Sequence, residues 1–162
     1  MTTVERRVAV SRRPVTAADI PLLRTLFADA HLELTVLPCD TRFVLIDMQF
    51  RAQRRLYAAK YPSAAHDILL AGGTEVGRVV VDRTDEAIQV IDISIALSHR
   101  RTGIAGAVLA GIAREADACA LPVTSTVWSG NTAAVALLES AGFRTVVDDA
   151  GFVSYVRPAT AH

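Results

Sequence analysis

The stretch Ile95-Ala96-Leu97-Ser98-His99-Arg100-Arg101-Thr102-Gly103-Ile104-Ala105-Gly106 joins an apolar strand end, a basic loop and the start of a helix. A helix start leaves backbone N–H groups unpaired and carries a positive partial charge. The small residues Gly103, Ala105 and Gly106 let a ligand approach those groups closely, and Arg100 and Arg101 add cationic character. Together these features predict an anion cradle built mostly from backbone, suited to phosphate. The plainer reading is a strand-to-helix turn that needs glycine for packing. The loop is not a P-loop, since no Gly-Lys-Ser/Thr follows at the required offset. Its glycine spacing also differs from the dinucleotide-binding fingerprint.

Outward from this loop the pattern is regular. Upstream, Asp67–Ala71 is apolar and stops at Gly72-Gly73, a hairpin-type turn. Val76–Val81 follows, and then Ala87–Leu97, rich in Ile and Val. Short turns between these strands predict an antiparallel meander. Downstream, Gly103–Ala118 reads as a helix with Ile104, Val108, Ile112 and Ala116 in register. Pro122–Val127 is a short strand and Asn131–Ala141 a helix, with Ala134, Leu137, Leu138 and Ala141 turned inward. Gly142 ends that helix as a left-handed cap. Arg144–Val147 and Phe152–Val156 form a last strand pair.

The N-terminal half supplies two more helices. Val8–Val10 is a short first strand after a loose leader over residues 1–7. Thr16 caps a helix carrying Ile20, Leu23, Leu26 and Phe27, with Asp19 completing a short capping box. Pro38 interrupts the chain, and Asp40 or Thr41 caps a second helix that ends before Pro62. Phe43, Ile46, Phe50 and Tyr57 form its inner face. Both helices serve as core or as one wall of a cleft, to which Asp47, Gln49 and Gln53 would give a polar stripe. The fold class is α/β (α+β): a mixed, mostly antiparallel sheet with central splayed parallel strands and helices on both faces. One domain spans residues 8–157, with a tail over 158–162.

A second constellation lies at Val127-Trp128-Ser129-Gly130-Asn131, followed by Ala134, Leu137, Leu138, Glu139, Gly142 and Phe143. Asn131 is a helix cap or an amide that contacts the ligand of the first loop. With both stretches in register the chain resembles the GCN5-related N-acetyltransferases, which move an acyl group from acyl-coenzyme A to an amine. The family's pyrophosphate signature, Arg/Gln-x-x-Gly-x-Gly/Ala, is met by Arg100, Gly103 and Ala105. Its second pattern, Asn-x-x-Ala-x-x-Leu-Tyr-Glu-x-x-Gly-Phe, is met by Asn131, Ala134, Leu137, Glu139, Gly142 and Phe143. The resemblance runs from about Val8 to Arg157.

The resemblance implies a set of roles. Backbone groups along Ile95, Ala96 and Leu97 would pair with the pantetheine arm, and an N–H near Ile95 would polarise the thioester carbonyl. N–H groups of Arg101, Thr102, Gly103, Ile104, Ala105 and Gly106 would hold the pyrophosphate, with Asn131 and Ala134 completing the cofactor site. One position departs from the pattern: Leu138 stands where the family has a Tyr that commonly protonates the departing thiolate. Ser129 and Tyr155 are then the candidate acids, although Tyr155 also reads as a packed strand aromatic. An unprotonated thiolate is itself a tolerable leaving group, since a thiol has a pKa near ~8.5. The attacking amine must lose a proton, and Asp92 is the candidate base; its alternative is an ion pair with a nearby Arg. His99 reads as a loop residue beside the pyrophosphate or as a weaker base candidate.

Composition limits the other possibilities. The 162 residues are 51% hydrophobic, enough for a core, and carry 17 basic and 17 acidic side chains. A net charge of zero argues against gripping nucleic acid or an anionic membrane. Cys39 and Cys119 have no paired spacing, so neither a disulfide framework nor a zinc site is expected, and no metal is needed. The longest nearly apolar stretch, Gly103–Ala113, is too short to span a bilayer. The expectation is a cytoplasmic acyltransferase, monomer or homodimer. It would use acetyl-CoA or another acyl-CoA to modify the primary amine of a small molecule or peptide. The competing expectation is an acyl-CoA-binding module with little or no turnover.

Overall fold

The computed structural model describes residues 8–160. Strand β1 (Val10–Pro14) leads through a 3-10 turn (Ala17–Asp19) into helix α1 (Ile20–Ala30), and a second 3-10 turn (Leu32–Val36) precedes α2 (Cys39–Lys60). The meander β2 (Ala65–Ala71), β3 (Thr74–Arg83) and β4 (Ile88–Ile95) comes next. Then follow α3 (Ile104–Ala118), β5 (Val123–Trp128), α4 (Thr132–Ser140), β6 (Arg144–Asp149) and β7 (Phe152–Arg157). The sheet has seven strands in the order β1-β2-β3-β4-β5-β7-β6. Among the described residues only β4 and β5 run parallel. The leader expected over residues 1–7 lies outside the described residues.

Alternation along the strands divides the interior into two layers. Leu69, Val79, Val90 and Val123 face α3 and α4, packing with Val108, Ile112 and Leu138. Ile68 points the other way, into a cluster with Leu23, Leu26 and Phe27 of α1 and Phe50 of α2. Phe27 and Phe50 meet edge to face, with ring centroids 5.9 Å apart. Gly72 and Gly73 both have positive φ (58° and 79°), as the tight turn between β2 and β3 requires. At the start of α1 the Asp19 carboxylate accepts the Thr16 N–H at 2.7 Å and both guanidinium arms of Arg13 at 2.8 Å. The chain end is held in the same manner. Asp117 accepts both arms of Arg157 at 2.9 Å and the Thr160 N–H at 2.8 Å, so the tail from Pro158 to Thr160 is fastened to α3.

Two local expectations need correction. The first described strand runs Val10–Pro14 rather than Val8–Val10, because its pairing partner β2 offers register positions only from Val10 onward. Phe43 is not on the inner face of α2; it is 63% exposed. The helix already begins at Cys39, directly after Pro38, and its first turns run alongside a groove against α1 instead of under the sheet. The covered face starts at Ile46 and continues through Phe50.

Candidate active site

The defining feature is a fork in the sheet. β4 and β5 pair in parallel only at Ile88↔Val123, Gln89↔Thr124 and Val90↔Ser125. On its other side β4 carries a bulge: Val80 opposes Asp92 and Val81 opposes Val90, so Ile91 is the extra residue. A bulge bends its strand and sharpens the local twist. Immediately past it β4 leaves β5, and Ile91–Ile95 has no partner strand on that side among the described residues. Ala96 N–H donates to Val76 O at 2.9 Å. Antiparallel alternation then turns the backbone groups of Ser94 and Ala96 toward β3 and those of Ile93 and Ile95 toward the open fork.

Below the fork lies the basic loop that opens α3. A 3-10 turn (Leu97–His99) is followed by Arg101 and Gly103 in left-handed conformation, φ 58° and 82°. Gly103 is the N-cap of α3. This reversal leaves the N–H groups of Arg101 to Gly106 without a hydrogen-bond acceptor among the described residues; the first N–H of this run that has one is Ala107, bonded to Gly103 O at 3.0 Å. A Cβ at Gly106 would meet nothing within 4 Å, so the space above this turn is open. Ile104, by contrast, is buried and anchors the turn to the core. Thr102 fastens the loop by donating its hydroxyl to His99 O at 2.5 Å, and His99 Nδ1 is 2.9 Å from Ser98 Oγ.

Several residues named from sequence hold other positions than expected. Arg100 does not add its charge to the cradle: Nε donates to Ile95 O at 3.1 Å and Nη2 to Asp29 O at 2.8 Å. Leu97 does not offer its N–H to the fork, because the Asp29 carboxylate accepts it at 3.1 Å. Ile95 keeps its N–H on the fork side but gives its carbonyl to Arg100, so Ile93 replaces Leu97 as the second residue with backbone turned to the opening. Ala96 packs its side chain against the α1 cluster. Asn131 caps α4, its Oδ1 accepting the Ala134 N–H at 3.1 Å; that N–H is therefore committed, whereas the Asn131 amide NH₂ is not. Ser129 is exposed in the turn after β5, held by its N–H on Gly151 O at 2.8 Å. Tyr155 is buried in the α3/α4 core, in the same cluster as Leu138 and Phe143.

Asp92 lies on the opposite side of β4, facing α1 and α2. It is ion-paired with Arg78, whose Nε and Nη2 both reach Oδ2, and Ser94 Oγ donates to the same oxygen at 3.0 Å. Arg78 is buried and also donates to Gln53 of α2 at 3.2 Å. Its guanidinium lies 6.0 Å from the Tyr57 ring centre. Asp92 Oδ1 has no partner among the described residues, and the side chain is 21% exposed. Burial pushes the Tyr57 phenol up to about 12. Burial and then the Arg78 charge push the neighbouring His66 below the usual imidazole range. Nothing in the sequence links Arg78, Gln53 and Tyr57 to Asp92. Only the Asp/Arg alternation of paired strands could have indicated the contact.

Two surface grooves, of about 310 and 470 Å³, lie on the outer side of α1 and α2. No residue of β4 or β5 lines either one. No cluster of His, Cys, Asp or Glu among the described residues could hold a metal ion. No helix among them is long and apolar enough to cross a membrane.

No family model matches the sequence, and no curated protein does. Solved structures match over nearly the whole chain. An acetyltransferase from Thermus thermophilus superposes with a TM-score of 0.69 at 23% identity, covering 94% of this chain and 98% of its own. The PaiA N-acetyltransferase from Thermoplasma acidophilum in complex with coenzyme A gives 0.69 at 9% identity, covering 93% and 99%. A GNAT family acetyltransferase from Elizabethkingia anophelis with acetyl-CoA bound gives 0.60 at 17% identity, covering 92% and 97%. The chain has the GCN5-related N-acetyltransferase fold.

Proposed function

We propose that the protein is an acyl-CoA-dependent N-acyltransferase that transfers the acyl group, acetyl in the simplest case, directly to a primary amine. The observation that carries this reading is the fork beyond Val90 and Ser125 together with the unpaired amides of Arg101 to Gly106 in the loop that leaves the same strand. Coenzyme A has a diphosphate at one end and an amide-bearing arm leading to its sulfur. The loop amides suit the first and the exposed backbone of Ile93 and Ile95 suits the second. Coenzyme A or acetyl-CoA bound to proteins of the same fold supports the match.

The thioester supplies the acyl group; the chain supplies position and charge. The Ile95 N–H is aimed at the fork, where it can donate to the carbonyl oxygen as negative charge develops there. Asp92, with Oδ1 uncommitted, takes the proton of the incoming amine through water. As the amine nitrogen bonds to the acyl carbon, the carbon–sulfur bond breaks and the sulfur leaves as thiolate. Leu138 is buried hydrocarbon and donates nothing, and Tyr155 is enclosed in the same core. The proton that finally neutralises the thiolate comes from solvent, directly or relayed through the exposed Ser129 hydroxyl, which takes one proton from water as it gives one up. General acid catalysis contributes typically about 10²–10⁴-fold, so its absence slows the reaction without forbidding it.

A second reading, an acyl-CoA-binding module without turnover, is favoured by Leu138 itself. The two separate in one assay, in which protein, acetyl-CoA and a panel of primary amines are followed by release of free thiol. Amine-dependent release establishes the transferase. Thermal stabilisation by coenzyme A with no release from any amine establishes the binding module, and absence of both excludes each.

A further inference from the structure

Helix α2 carries an apolar strip on the side turned away from the sheet. Phe50 is buried, with Ile46 packed into the same cluster. Helical periodicity puts Val44 and Met48 on the far side from Phe50, and they are 62% and 55% exposed. The exposed Phe43 lines both surface grooves. Every residue lining the smaller groove belongs to α2: Phe43, Val44, Asp47, Met48, Arg51 and Arg55. That groove is the space between two side-chain ridges of one helix, Val44–Met48 on one side and Asp47–Arg51–Arg55 on the other. In helix packing such a space takes a ridge of a facing helix, and here no second element among the described residues contributes to it. Three large apolar side chains in one exposed strip mark a contact surface.

The charges on this strip are ordered along the helix. Asp40 sits in the first turn and Arg55 lies toward the C-terminus. Both are exposed, and neither has an ion-pair partner among the described residues. The charges between them are already satisfied: Asp47 pairs with Arg51 at 2.8 Å and with Arg24 at 2.6 Å. Free charge is thus negative at one end of the strip and positive at the other, with Val44 and Met48 between. A second copy of the helix laid antiparallel meets this order in reverse. Asp40 of each copy then faces Arg55 of the other, twice by two-fold symmetry, and the apolar centres meet with Met48 beside the axis. The helix dipoles also oppose each other. A parallel pairing would set Asp40 on Asp40 and Arg55 on Arg55. A partner of one charge sign would suit one end and be repelled at the other.

We infer that the outer face of α2 is the interface of a homodimer, in which two copies pair antiparallel through Phe43, Val44 and Met48 with Asp40 of each copy opposite Arg55 of its partner. This pairing is independent of the acyl-transfer reading. It lies on the back of the helix whose Gln53 accepts from Arg78, and it leaves that contact intact. Sedimentation velocity of the full chain, from ~1 µM to ~200 µM, spans the dissociation constants of weak and moderate dimers and tests it.

The expected result is a species of 17.3 kDa that gives way to one of twice that mass as concentration rises. Met48→Glu brings two carboxylates to the axis and should stay monomeric wherever the parent is paired, with the circular dichroism of the parent, since the position is exposed. Asp40→Arg and Arg55→Asp should each weaken the dimer at least tenfold, because each like-charge contact occurs twice. An equimolar mixture of these two variants should recover the affinity to within threefold, since unlike charges then face each other at both ends. A monomer across the whole series, charge variants that pair as tightly as the parent, or a mixture no tighter than its components would overturn the inference. So would a dimer that survives Met48→Glu, which would place the contact elsewhere, as at the edge strand β6.

Discussion

The Ser125 hydroxyl donates to the Val90 carbonyl at 3.0 Å, at the last register pair of the parallel ladder. Ser125 is one of the few buried polar side chains and sits where β4 and β5 part. Its bond closes the fork at its base, adding a side-chain donor to a carbonyl that takes part in the last step of the parallel ladder. Ser125→Ala should cost about 0.5–1.5 kcal/mol of unfolding free energy, the net worth of one hydrogen bond. Chemical denaturation checks it; a loss under about 0.5 kcal/mol, the scatter of ordinary surface substitutions, would show that the bond contributes little.

Gly106→Glu tests the cradle without straining the backbone. The position lies in the first turn of α3, where a side chain finds open space and a carboxylate suits the helix dipole. Replacing glycine within a helix should leave stability equal or higher by about 0.5–1 kcal/mol. The same carboxylate would repel a diphosphate, so coenzyme A affinity should fall at least 100-fold by calorimetry. Unchanged affinity in a folded variant would remove the cradle from the site.

Asp92→Asn keeps the shape that Arg78 and Ser94 contact and removes the proton acceptor. The turnover rate at neutral pH should fall about 10²–10⁴-fold, the range for loss of a general base. The rise of rate with pH should flatten, and a merely structural carboxylate would leave that profile unmoved. Thermal midpoints measured in parallel separate a chemical loss from an unfolded fraction.

Acid should loosen both ends of the domain. Arg13 holds the Asp19 carboxyl well below the usual carboxylate range, with the Thr16 N–H next in effect, and Arg157 and the Thr160 N–H do the same for Asp117. A depressed folded-state pKa means that the unfolded chain binds protons first. The stabilisation is complete above the ordinary value near ~3.9 and is lost progressively as pH falls below it. Asp117→Asn should therefore lower the thermal midpoint at pH 7 and show a smaller further drop toward pH 2 than the parent protein.

Much of this arrangement is legible in the residues. Apolar periodicity marks the sheet and helices, Gly72-Gly73 marks the hairpin, and the spacing from Arg100 to Gly106 marks the loop. Contacts between distant segments are not legible. Arg100 reads as a free cation beside the cradle, yet Asp29, far upstream in α1, takes it away. Phe43 shares the period of Ile46 and Phe50, but period does not say where the neighbouring helix stops. Leu97 shares the alternation of Ile93 and Ile95, so sequence points to it; that the strand turns into a 3-10 helix there and that Asp29 takes its N–H are not written in any local pattern. Arg78 and Asp92 reveal their partnership only through the pairing of β3 with β4.

Asp29 binds twice to the loop, through its carboxylate to Leu97 and through its carbonyl to Arg100. The last turn of α1 and the loop at the start of α3 are thereby bolted into one stiff strut. A single residue thus joins the helix that flanks the sheet to the loop whose amides stay open. By reciprocity, any effect that a ligand on the loop had on binding along α1 would be returned in equal measure, whichever arrived first.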